Sequence, residues 1–91
     1  MTVTLVTIER MFADLETEAR SREAIAEFAT AAMKADDAGT LVLEPSTDAS
    51  RIWKAITYLS GVDIRESPDA YLHCTEDFVE FRKQLGIASP S

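Results

Sequence analysis

Leu5, Ile8, Phe12, Leu15 and Ala19 recur at steps of three and four, the spacing of one face of an α-helix. Residues 2–8 are rich in β-branched side chains and would also suit a strand. The helical spacing continues through Met11 and Leu15, so it favours a helix, capped by Thr4 or a neighbouring threonine. A second stripe follows in Ile25, Phe28, Ala29, Ala32 and Met33. At about 100° per residue its centre is turned by roughly 90° from the first. One straight helix cannot aim both stripes at a flat neighbour. Either it bends around its neighbours or it breaks near Ser21, which is suited to cap a second helix, and the pattern leaves both open. Glu16 with Arg20, and Glu18 with Arg22, have the i,i+4 spacing of helical ion pairs.

Gly39 suits the left-handed turn after this helical region. Thr40 to Glu44 then predicts a short strand, which Pro45 stops. Ser46, Thr47 and Asp48 are candidate caps for a helix with Ala49, Ile52, Ile56 and Leu59 on one face and Gly61 at its close. Residues 62–65 and 71–74 alternate around a Ser67-Pro68-Asp69-Ala70 turn, which predicts a β-hairpin. A last helix from about Glu76 to Leu85 presents Phe78, Phe81 and Leu85, with acids at its start, Arg82 and Lys83 near its end and Gly86 after it. Residues 87–91 are expected to be a flexible tail.

The expected fold class is α+β. It is a mostly helical single domain over residues 1–91, in the order helix-helix (or one long bent helix), strand, helix, β-hairpin, helix, with a small antiparallel sheet packed by helices. A winged-helix module is disfavoured, because it would need two helices between its first strand and its wing, and only one lies between Leu43 and the hairpin.

Ninety-one residues with 46% hydrophobic and 27% charged side chains suit one folded domain. Sixteen acids against nine bases give a net charge of −7 and a pI near 4.5. Nucleic-acid affinity comes largely from Lys and Arg neutralising phosphates, so no direct nucleic-acid binding is expected, and no membrane binding for the same reason. Excess negative charge suits a partner with a basic surface. The first residues lack a basic segment and a long apolar run, so a cytoplasmic location is the expectation.

The single histidine and single cysteine, His73 and Cys74, stand side by side before Thr75, Glu76 and Asp77. On a strand such neighbours point to opposite faces, so they would not converge on a metal or form a nucleophilic pair. No further His or Cys exists to complete a zinc site, and no calcium loop, phosphate loop or dinucleotide fingerprint is present. No cofactor, metal or catalytic residue is therefore expected, nor enzymatic activity. The stretch reads as a strand-to-helix junction, with Thr75 as cap and Cys74 and Val79 as a hydrophobic staple.

Trp53 is the more informative residue. It projects roughly 80–100° from the apolar stripe of its own helix, flanked by Arg51 and Lys54, with Tyr58 further round. Exposed Trp beside Arg has the makeup of a binding hot spot, and the competing reading is a core widened to cover it. Asp14, Glu16, Glu18, Glu23 and Glu27 form a second candidate surface, because carboxylates in an array can imitate nucleic-acid phosphates. In size and charge the chain is similar to small phage inhibitors such as anti-CRISPR proteins. The leading expectation is a non-enzymatic adaptor or inhibitor that blocks a basic surface of a partner protein. A self-assembling subunit, with a homodimer through the first helical region, is the alternative, and a small enzyme without a recognised motif the third.

Overall fold

A computed structural model describes residues 1–67, 70–71 and 75–86. The chain opens with strand β1 (Thr2–Thr4), which runs without a loop into helix α1 (Leu5–Thr17). The two competing patterns at the start are both realised, with the boundary at Thr4. Thr4 has the extended dihedrals (φ −105°, ψ 163°) shared by a strand residue and a helix N-cap, and its hydroxyl accepts the Thr7 N–H at 3.1 Å.

The rotated stripes are reconciled by a break. Helix α1 ends at Thr17, and Glu18 takes a left-handed conformation (φ 60°) from which its N–H reaches the Asp14 carbonyl. Ser21 then caps helix α2 (Arg22–Asp37) by accepting the Ala24 N–H at 3.1 Å. The turn re-aims the chain, so Ile8, Met11, Phe12 and Leu15 of α1 and Ile25, Ala26, Ala29 and Ala32 of α2 all enter one core. It also removes the expected i,i+4 pairs. Arg20 lies beyond α1 and binds Asp14 at 3.1 Å instead.

Gly39 turns the chain at φ 73° into strand β2 (Val42–Glu44). This strand pairs with β1 in parallel, Thr2 opposite Val42 and Thr4 opposite Glu44. The Met1 ammonium donates to the Thr40 carbonyl, and the Val42 N–H to the Met1 carbonyl, both at 2.8 Å. Helices α1 and α2 form the crossover that a parallel connection requires. A 3₁₀ turn (Ser46–Asp48) leads into helix α3 (Ala49–Leu59), which buries Ile52, Ala55, Ile56 and Leu59 against α1 and α2. The small side chains Ala26, Ala29 and Ala32 let α2 approach α3 closely. Strands β3 (Arg65–Ser67) and β4 (Ala70–Tyr71) form an antiparallel ribbon, and helix α4 (Thr75–Gln84) packs on α1.

The helix-dominated α+β character stands, but the expected small antiparallel sheet packed by helices does not. The sheet beside the helices is parallel and joins residues 2–4 to residues 42–44. The physical reason is the missed first strand: with β1 in place, β2 has a neighbour and needs no hairpin. The antiparallel ribbon is a separate two-stranded unit, shorter than expected and displaced from residues 62–65 and 71–74. The expected Pro68-Asp69 turn, the His73-Cys74 junction with its staple, and the tail at 87–91 lie outside the described residues.

Candidate functional site

Helix α3 carries no carboxylate. The run from Ala49 to Val62 is the longest stretch of the chain without Asp or Glu, and residues 81–91 are the next longest. Sixteen acids are spread over the rest, so four of the nine cationic side chains (Arg51, Lys54, Arg82 and Lys83) fall in these two stretches. The fold brings residues 81–85 of the second stretch beside the first. Lys54, Thr57 and Tyr58 of α3 and Phe81, Gln84 and Leu85 at the end of α4 line an open groove of about 530 Å³. A second groove continues it along α3, lined by Thr47, Asp48, Ser50 and Arg51 and sharing Lys54, Gln84 and Leu85.

Local structure explains each position. The apolar stripe of α3 faces the core, which turns Ser50, Lys54 and Thr57 outward, and all three are exposed. Arg51 and Tyr58 lie on the flank toward α4 and Trp53 on the opposite flank. Arg51 reaches Asp48 at 3.6 Å, one turn earlier. No ion pair engages Lys54 among the described residues. The Thr57 hydroxyl donates to the Lys54 carbonyl at 2.9 Å, which ties the side chain down on the groove rim. Beneath the rim, Tyr58 stacks on Phe81 with centroids 3.8 Å apart and planes at 9°. Phe12 lies 6.2 Å from Phe81, and Phe78 meets Tyr58 edge-on at 6.4 Å. The aromatic floor is therefore held from below by the core.

The end of α4 is anchored by an ion pair between Arg82 and Glu16 at 3.2 Å, the two side chains only 11% and 16% exposed. Nearby, the Arg22 guanidinium sits 4.8 Å over the Phe78 ring. Both contacts draw cations away from solvent into structural roles.

The candidate residues thus separate. Arg51, Lys54 and Tyr58 converge on the α3–α4 face. Trp53 is half-buried and packs against the core, an extension of it. The acids do not form one array. Asp14 binds Arg20, Glu16 is committed to Arg82, and Glu18 occupies the helix-ending turn. Only Glu23 and Glu27 lie together, beside Lys34 and Asp63 in a groove between α2 and the end of α3. Gln84, Leu85, Thr57 and Ser50 were missed in the sequence. The signal that finds them is the distribution of carboxylates along the chain, which a net charge averages away. Among the described residues no group of three or more metal-ligating side chains gathers, and no helix is long and apolar enough to cross a membrane.

A family model described as YxzC DNA-binding protein matches residues 2–85. The uncharacterized protein YxzC of Bacillus subtilis (strain 168) is 33% identical over 64 residues, which are 70% of this chain and 47% of that protein. The chain therefore spans about half the length of this curated relative. No solved structure matches it.

The family match overturns the expectation of an acidic adaptor or inhibitor acting on a protein, its likeness to phage anti-CRISPR inhibitors and the self-assembling alternative. It also overturns the expectation of no direct nucleic-acid binding. The error has a physical cause. Affinity for phosphate depends on the local field at the contact, and a face poor in carboxylates can be basic on a protein of negative net charge.

Proposed function

The chain belongs to the YxzC DNA-binding protein family, and from that premise we propose that it binds DNA through the outer face of α3 and the adjoining end of α4. The observation that carries this reading is the convergence of two segments without carboxylates, residues 49–58 and 81–85, on one face with Arg51 and Lys54 at its rim. Asp48 is the one acid among the described residues lining the grooves. Lys54 offers a mobile cation to a backbone phosphate, and Arg51 can leave Asp48 for a stronger acceptor. Ser50, Thr57 and Gln84 supply hydroxyl and amide groups for phosphate or base contacts. The carboxylates elsewhere repel DNA, so approach is favoured only with the α3–α4 face forward. No catalytic step belongs to this reading, and its location is the cytoplasm, where bacterial DNA lies.

Few cations make few phosphate contacts, so binding is weak and its salt dependence shallow. Two contacts give a slope of log affinity against log salt of about −2 on duplex DNA. Fluorescence anisotropy with a labelled oligonucleotide at about 50 mM salt tests the assignment. The double variant Arg51→Ala/Lys54→Ala is expected to lose binding by tenfold or more, while Glu27→Ala retains it. Equal affinity of wild type and double variant, or no binding by the wild type at low salt, refutes the reading.

A further inference from the structure

The floor of the α3–α4 groove has no task in binding a duplex. A duplex presents phosphates and the edges of paired bases, and neither gains from the apolar surface of Tyr58, Phe81 and Leu85. An unpaired base does gain, because it brings a flat apolar body and a polar edge to the same place. Single-strand binders combine cations that follow the backbone with aromatic side chains that receive bases. Here Lys54 and Arg51 stand at the rim, the stacked Tyr58–Phe81 pair lies below, and Thr57 and Gln84 are beside it for the base edge.

Resting on the DNA-binding reading, we infer that this groove takes an unpaired base, and that the protein prefers single-stranded to duplex DNA. Two observations favour that occupant. The groove, at about 530 Å³, is in the range that holds a small organic ligand, and it is apolar within and cationic at the lip, the complement of a base on its phosphate. Its continuation past Lys54 to Arg51 and Thr47 follows about ten residues of helical rise, a track of roughly 15 Å. That length accommodates a few nucleotides of extended strand, whereas a protein with a net charge of −7 and two rim cations gains little from a rigid, densely charged duplex.

Anisotropy at low salt with a labelled oligo-dT and with a mixed-sequence duplex of equal length tests the inference. The single strand is expected to bind about tenfold tighter or more, the factor that one stacked base supplies. Thr57→Glu, on the exposed rim, is expected to reduce single-strand binding about tenfold while circular dichroism shows an unchanged fold. Phe81→Ala endangers the core, so Gln84→Ala serves as the second groove variant; it is expected to weaken single-strand binding more than duplex binding, and an equal loss on both would overturn the base-binding role of the groove. Duplex binding equal to or tighter than single-strand binding overturns the groove inference and leaves DNA binding standing. Failure of both oligonucleotides to bind overturns both.

Discussion

Glu16 belonged to the acidic surface expected from the sequence, and the fold gives it a different task that can be measured. Its carboxylate holds Arg82 at 3.2 Å, with both side chains largely removed from water. Replacing it by alanine leaves a guanidinium that is 11% exposed without this acceptor. Exposed ion pairs contribute about 0.2–1 kcal/mol, whereas breaking a fully buried pair costs about 3–5 kcal/mol. A pair of this burial falls between them, so Glu16→Ala should cost about 2 kcal/mol. For a domain of this size that corresponds to a fall in Tm of roughly 10 °C. Glu27→Ala removes the same charge from an exposed position and should stay within about 0.5 kcal/mol of wild type. Urea unfolding followed by circular dichroism compares the two. If both variants unfold at the same midpoint as wild type, Glu16 is a surface charge and the anchoring of α4 through Arg82 is wrong.

Other perturbations have expected outcomes of either sign. Ser21→Ala removes the hydroxyl that caps α2 and should cost about 1 kcal/mol in urea unfolding, while Ser21→Asp should cost less than half of that. Trp53→Ala should destabilise by about 2 kcal/mol through lost packing, with DNA affinity within twofold of wild type under conditions where both are folded, because Trp53 lies on the flank of α3 away from the groove. A parallel loss of affinity would place Trp53 in the interface. Asp48→Asn removes the carboxylate that competes for Arg51 and should tighten DNA binding about three- to tenfold in anisotropy at low salt; weaker binding would mean that Asp48 orients Arg51 for its contact.

Local periodicity revealed most of the helical framework, and long-range pairing stayed hidden. Two stripes with different directions showed that one straight helix could not satisfy both, but the choice between a bend and a break near Ser21 was made only by the fold. The parallel pairing of Val3 with Leu43 was not visible, since nothing in a three-residue β-branched run says which distant segment completes it. The same limit hid the Arg82–Glu16 pair, whose partners are 66 residues apart and whose local spacings suggested Glu16 with Arg20. For the candidate site, the residues of α3 were legible and their meaning was not. Arg51, Lys54 and Tyr58 stood out only as the surroundings of Trp53 in an expected protein-binding hot spot, while the net charge of −7 pointed to a basic partner protein. The absence of any carboxylate between Asp48 and Asp63 marks the local reversal of that charge. Its coincidence with the acid-free end of α4 depends on packing and could be seen only in the fold.

DNA is proposed to meet this protein on the α3–α4 face. Titration of the ¹⁵N-labelled chain with an oligonucleotide, followed amide by amide in NMR, addresses it most directly. Shift changes are expected at residues 47–58 and 81–85, saturating together and reversed by added salt. Changes centred on Glu23, Glu27 and Lys34 of α2, or no changes at millimolar oligonucleotide and low salt, would contradict it.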